Sequence, residues 1–233
     1  GQAVVRERDG KILRSGPGHS PKGPRPFLAR EDLGSGAREL LWQSAESRYE
    51  SLAALLEEGA SSAQLVFASE SANEPTNYFL WSTGQEARAL TRFADPTPQL
   101  RQIRQELLTY QRADGVPLSG TLYLPAGYQE GAKLPLFIWA YPLEYNDAGT
   151  AGQVTNSTNR SLRMRGATHL ALLLAGYAVL DNATMPIVGD PETMNETFIE
   201  QIVASAQAAI DACVARGVCE REHVAVGGHS YGA

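Results

Sequence analysis

The sequence predicts two architectures in succession: an all-β segment over residues 1–95, then the first half of a mostly parallel α/β sheet with flanking helices over residues 96–233. Three observations carry this. Short apolar segments recur between turn clusters in the first part, strand and helix patterns alternate in the second, and the chain closes on Gly228-His229-Ser230-Tyr231-Gly232 directly after an apolar run. Evenly spaced short strands point to a sandwich or a propeller, whereas strands alternating with helical patterns point to a parallel sheet.

In chain order, Gly16-Pro17-Gly18 and Pro21-Lys22-Gly23-Pro24-Arg25-Pro26 break regular structure, so residues 10–37 read as a loop-rich connection. Leu40-Leu41-Trp42-Gln43 reads as a strand, followed by apolar segments at 49–56, 64–69, 77–81 and 87–93. Four strands in a row are the complement of one propeller blade. Leu52-Ala53-Ala54-Leu55-Leu56-Glu57-Glu58 favours helix by propensity. It is read as a strand because its neighbours need a partner. A sandwich fragment is the competing reading of this part.

The texture shifts at Asp95-Pro96-Thr97-Pro98. Segments 107–111 and 118–124 flank Ala113-Asp114-Gly115, a hairpin signal. Residues 134–141 form a continuous apolar run, as expected of a strand buried on both faces. A helix is predicted over 162–174, closed by Gly176, and a strand over 178–180. Residues 195–216 place Phe198, Ile199, Ile202, Val203, Ala206, Ala209, Ile210 and Cys213 on one helical face, with Gly217 just past the end. Residues 223–227 are the last strand.

Composition narrows the function classes. With 43% hydrophobic and 20% charged residues the chain has ordinary globular composition. A net charge of −6 and a pI near 5.3 argue against a nucleic-acid partner. No run of eighteen apolar residues occurs, so no membrane span is expected. Cys213 and Cys219 read as free thiols. No cluster of His, Cys and Asp has metal-ligand spacing, so neither metal nor cofactor is expected. His19, His169, His223 and His229 read as structural or exposed rather than as a general base. No signal-peptide pattern stands at Gly1, which leaves localisation open, as it does oligomeric state.

The chemistry lies at the end. Glycine, any residue, serine, any residue, glycine is a common pattern, but here a helix, a short turn and an apolar strand lead into it. That order is the nucleophile elbow of an α/β-hydrolase, where a serine sits on a turn so sharp that only glycine fits two residues to either side. Ser230 is therefore the candidate nucleophile, with Gly228 and Gly232 as its elbow glycines. In this fold the acid and the histidine follow the serine. They are expected beyond Ala233, so the chain reads as truncated at both ends and inactive alone.

Longer tracts carry a resemblance. The stretch from Gln111-Arg112-Ala113-Asp114-Gly115 through Leu122-Tyr123-Leu124-Pro125 resembles the entry to the catalytic domain of prolyl oligopeptidase family serine peptidases. So do Pro135-Leu136-Phe137-Ile138-Trp139-Ala140-Tyr141 and the Gly227–Gly232 elbow. In that family a β-propeller precedes the hydrolase domain, which implies the C-terminal portion of a propeller for residues 1–95. Trp139-Ala140-Tyr141-Pro142-Leu143-Glu144-Tyr145, Ala151-Gly152-Gln153-Val154, Pro186-Ile187-Val188-Gly189 and Glu200 to Ala206 are most similar to the glutamyl endopeptidase branch. One departure stands out: Thr155-Asn156-Ser157-Thr158 replaces a Gly-Ser-Pro-like run. If that loop lines the pocket, glutamyl preference is in question.

The resemblance implies a serine peptidase working through an acyl-enzyme on peptide substrates, with a preference for acidic residues as the finer expectation. It assigns the two oxyanion donors to the backbone N–H of Tyr231 and the phenol of Tyr141. Arg160, Arg163 and Arg165 lie near the loop but read as a solvated basic turn. A carboxylesterase of the same fold is the alternative, although Tyr141-Pro142 stands where a glycine-rich oxyanion motif would be. A non-catalytic propeller-based binding protein is the other, against which the intact elbow counts.

Overall fold

The computed structural model describes residues 10–58 and 62–232. The chain forms two compact units, Gly1–Pro98 with Asn159–Ser161, and Gln99–Thr158 with Leu162–Ala233.

In the first unit, β1 (Lys11–Gly16), β2 (Phe27–Asp32) and β3 (Arg38–Gln43) form one antiparallel sheet. A second contains β4 (Tyr49–Glu58), β5 (Ala63–Ser71), β6 (Glu74–Ser82) and β7 (Arg88–Ala89) in that order. Both are open meanders, and they close no ring among the described residues. Ala63, Leu65, Phe67 and Ser69 alternate inward along β5, as a half-buried strand requires. Leu13, Leu28, Trp42, Leu65 and Phe67 share one core, with Phe67 between Trp42 and Phe79 at 5.5 Å to each ring.

Two expectations change here. Residues 10–37 are not simply a connection: the Gly/Pro run is confined to the turn, and β1 and β2 flank it, each anchored by a fully buried leucine. Segment 87–93 forms only a two-residue strand. Beyond it, the Leu90 amide still reaches the Tyr78 carbonyl at 2.8 Å, while Thr91 Oγ1 accepts from the Tyr78 amide and Asn77 Oδ1 from the Phe93 amide, so side chains supply part of the ladder. The 52–58 stretch is strand within β4, pairing with β5 against its helical propensity.

In the second unit, five strands form one sheet in the order β12 (Val224–Gly228), β10 (Leu136–Tyr145), β11 (Ala178–Val188), β9 (Pro117–Leu124), β8 (Arg104–Gln111). β10 runs parallel to both β11 and β12, while β9 is antiparallel to β11 and β8. Successive residues face opposite ways. Leu122, Ile138 and Leu180 pack with Ala209 and Cys213 of helix α2 (Phe198–Ala215), after α1 (Ala148–Ala151), a single turn. Tyr123 and Val179, one position away, pack with Leu170 and Leu173 on the other face. This alternation puts a helical element on each side of the parallel strands.

The predicted 162–174 helix reduces to a 3₁₀ turn, His169–Ala175. Gly166 adopts φ +57°, which an α-helix cannot accommodate, and Thr168 caps the turn by accepting from the Leu170 amide. Its end is as read, with Gly176 left-handed at φ 84°. The other predicted helix is α2 preceded by a 3₁₀ turn, Met194–Thr197. Met194–Ala215 is long and apolar enough by composition to cross a membrane. Its fully buried Ser205, Ala209 and Cys213 line the side facing the sheet, and Glu200 and Asp211 are exposed. β10 continues four residues past Tyr141 through Pro142, since its pairing with β12 ends at Ala140 and no amide is needed there. Cys213 and Cys219 are free and buried, and burial pushes the Cys213 thiol up to about 12.

Buried Arg112 fixes the end of β11. Its guanidinium donates to the Pro186 carbonyl at 2.8 Å, to Ser205 Oγ at 3.3 Å, to Gln201 Oε1 at 3.0 Å and to both oxygens of Asp114 at 2.9 Å. Gln201 in turn bonds both backbone groups of Val188. Hairpin turn, strand end and helix are thereby tied at the C-terminal edge of the sheet.

Candidate active site

Strand β12 ends at Gly228, and Ser230–Gly232 forms one 3₁₀ turn directly beyond it. Ser230 takes φ +56°, one of two described non-glycine residues in the left-handed region. Such a conformation is unfavourable for an L-residue and marks a position held by its surroundings. Those surroundings are the flanking glycines. A Cβ on Gly228 would lie 2.1 Å from the Gly232 carbonyl oxygen and 2.8 Å from that of Ala140, and a Cβ on Gly232 would lie 2.8 Å from the same Ala140 oxygen. No side chain fits at either glycine, so the chain reverses tightly and presents Ser230 at the sheet's C-terminal edge.

Tyr141 lies on the neighbouring strand, one residue past the last β10–β12 pair. Its side chain is 48% exposed, and its ring centroid stands 6.4 Å from that of Tyr231. The structure therefore brings Ser230, Tyr231, Tyr141, Gly228 and Gly232 together at one strand end.

Tyr231 is held more firmly than the sequence suggests. Its hydroxyl donates to Glu144 Oε1 at 2.8 Å and lies 3.3 Å from Asn195 Oδ1. Asn195 Nδ2 donates to the same Glu144 oxygen at 3.3 Å, and the ring packs on Phe198 at 5.0 Å. The hydrogen bond to the Glu144 carboxylate, with lesser help from desolvation, pushes the Tyr231 phenol above its ordinary 10.0. Glu144, Asn195 and Phe198 were not singled out as site residues. No spacing rule links positions 144, 195 and 231. The available signal was the placement of Glu144 three residues after Tyr141 at a strand end.

Beside Tyr141 opens a cavity of about 140 Å³, with Leu143, Gln153, Thr155, Asn182 and Thr184 among its walls. Its described lining is uncharged. The loop that departs from the glutamyl endopeptidase pattern thus contributes Thr155 to a wall shared with Tyr141. Arg160 is placed in the first unit, its guanidinium 3.9 Å over the Tyr49 ring.

His169 is committed elsewhere. Its Nε2 lies 2.6 Å from Asp181 Oδ1, and its ring stacks on Trp139 at 4.4 Å and 12°. Asp181 also accepts from Asn182 Nδ2 at 2.9 Å. Trp139 pairs with Gly227, three residues before Ser230. The pair joins the first residue of the 3₁₀ turn to β11.

No family model matches the chain. It is 38% identical over 245 residues to a probable chloroplastic glutamyl endopeptidase of Oryza sativa subsp. japonica, an alignment covering 99% of this chain and 26% of that protein. The Arabidopsis thaliana protein of the same name is 39% identical over 234 residues, covering 95% and 24%. The chain thus spans about a quarter of the length of the curated relatives it matches. Among solved structures, the AtxE2 isopeptidase superposes with a TM-score of 0.63 at 22% identity, over 94% of this chain and 32% of its own. The Pyrococcus horikoshii acylaminoacyl peptidase does so at 0.56 and 16%, over 99% and 33%. By sequence the chain is related to glutamyl endopeptidases and by fold it is a neighbour of prolyl oligopeptidase family peptidases, which is the resemblance its motifs carry.

Proposed function

We propose that the chain is the nucleophile-bearing part of a serine peptidase that hydrolyses peptide bonds through an acyl-enzyme. Residues 96–233 act as the N-terminal half of an α/β-hydrolase domain and residues 1–95 as the C-terminal portion of a β-propeller. The strand order β12-β10-β11-β9-β8, with helical elements on both faces, supports the first assignment. The two antiparallel meanders support the second. The observation that carries the proposal is Ser230 at φ +56°, between two glycines whose side-chain space is occupied by backbone oxygens.

In this reading Ser230 Oγ attacks the scissile carbonyl carbon, and a general base following the serine in chain order takes its proton. The carbonyl π pair moves to oxygen. The resulting oxyanion accepts from the backbone N–H of Tyr231 and the phenol of Tyr141. Collapse breaks the C–N bond, the amine leaves with the proton, and water then releases the acyl group by the same route.

The relatives' name brings a preference for glutamate into the proposal. A glutamate side chain entering the cavity beside Tyr141 would find hydroxyl and amide donors on Thr155 and Gln153. The test is turnover of peptides differing only at the residue before the cut, by the complete gene product and its Ser230→Ala variant. Activity on glutamyl peptides that is abolished in the variant supports both parts. Serine-dependent activity without glutamyl preference removes the selectivity, and undiminished activity in Ser230→Ala removes the mechanism.

A further inference from the structure

The residue after the nucleophile is normally of interest for its backbone. Here its side chain is the best-tethered group at the strand end. The Tyr231 hydroxyl reaches Glu144 on β10 at 2.8 Å and Asn195 at the entry to α2 at 3.3 Å, while Asn195 Nδ2 closes the triangle on Glu144 at 3.3 Å. Phe198, the first residue of α2, packs on the ring from 5.0 Å, and Tyr141 stands 6.4 Å away. Two segments far apart in sequence, β10 and the entry to α2, thus converge on one phenol. The single phenol hydrogen goes to Glu144 at the shorter distance, and one of the two Asn195 Nδ2 hydrogens goes to the same carboxylate oxygen, so phenol and amide share it as donors.

We propose that Glu144 and Asn195 are positioning residues for the proposed peptidase chemistry: they hold the Tyr231 phenol, and through it the turn that sets Ser230 and the Tyr231 amide. This rests on the reading of Ser230 as nucleophile. The physical need is plain. Ser230 occupies an unfavourable backbone conformation, and the turn that holds it carries a backbone bond from the Gly232 amide to the His229 carbonyl at 2.9 Å. An oxyanion donor works only if it is in place before charge develops, and small displacements there cost large factors in rate. The contact with Phe198 holds the ring by its face, and directional hydrogen bonds are what fix the hydroxyl. The hydrogen-bonded triangle supplies that constraint. What the phenol needs from Glu144 is an acceptor at Oε1, not its charge, and glutamine keeps such an acceptor.

The test uses the complete gene product with a chromogenic peptide, comparing Glu144→Ala, Glu144→Gln, Tyr231→Phe and the Glu144→Ala/Tyr231→Phe pair. A positioning role predicts that Glu144→Ala and Tyr231→Phe each lower kcat about tenfold with KM nearly unchanged. The double variant should be no worse than either single one, and Glu144→Gln should keep most of the activity. Labelling of Ser230 by a fluorophosphonate should persist in all four, at a reduced rate wherever kcat falls. Unchanged kcat in Glu144→Ala, with Ser230 still labelled, overturns the inference and leaves the proposed function standing. So does a Glu144→Gln variant as poor as Glu144→Ala, since charge would then be the requirement. Full activity in Ser230→Ala would overturn the underlying reading instead. If Glu144→Ala does not fold, Tyr231→Phe alone carries the comparison.

Discussion

Gly228 and Gly232 are pressed together across the Ser230 turn: a Cβ on the first would sit 2.1 Å from the carbonyl oxygen of the second. No rotamer relieves an overlap with backbone, so the elbow either opens or the substitution is rejected. Gly228→Ala should therefore lower kcat/KM by more than about a hundredfold, in line with the rate cost of misplacing a reacting group. A steady-state assay of the complete gene product against a peptide substrate measures this. Near-normal turnover would show that the turn tolerates opening.

The Tyr141 phenol is the proposed side-chain oxyanion donor, and it is free enough to serve, being half exposed at the end of β10. Tyr141→Phe removes only the hydroxyl. Loss of one such donor costs about 3 kcal/mol of transition-state stabilisation, so kcat should fall about a hundredfold while KM changes little. An effect confined to KM would move Tyr141 to substrate binding.

Arg112 joins the hairpin turn to the Pro186 carbonyl, Ser205 and Gln201 from a buried position. Arg112→Met keeps an unbranched apolar stem and removes every donor, leaving buried acceptors unpaired at about 1–3 kcal/mol. A melting temperature several degrees lower in differential scanning fluorimetry is the expected result. An unchanged melt would mean that the acceptors find other partners.

Acid should weaken the ion-pair network at the end of α2. Burial pushes the Glu106 carboxyl up, but the Arg216 and Arg104 guanidiniums outweigh it and hold the group below its ordinary 4.5. A carboxylate depressed in the folded state adds stability that is fully present above the ordinary value and is lost as pH falls through the folded one. The wild-type advantage over Glu106→Gln should therefore be full above pH 4.5 and close at lower pH. A pH series of melts checks this, and a gap that widens in acid would contradict it.

What the sequence makes legible follows from how local each signal is. The tight turn at Gly228–Gly232, the Asp114-Gly115 hairpin and the Gly176 stop depend on backbone angles that few residues adopt, so residue identity alone exposes them. The 134–141 strand was legible because burial on both faces leaves a continuous apolar run. The 162–168 stretch was misread as helix because Leu162 and Met164 pack into the core from irregular chain, and only the sign of φ at Gly166 reveals the break. β1 and β2 were hidden by the Gly/Pro turn between them. At the proposed site, Ser230, Tyr231 and Tyr141 are assigned from motif and resemblance. Glu144, Asn195 and Phe198 join them only through the strand register and the start of α2, which no short window of sequence contains.

The central claim is that Ser230 is a nucleophile. The most direct measurement is treatment of the complete gene product with a fluorophosphonate, followed by digestion and mass spectrometry. The account predicts a covalent adduct on Ser230 that disappears in Ser230→Ala and upon unfolding. A folded protein that leaves Ser230 unmodified, or that labels equally well in Ser230→Ala, would contradict it.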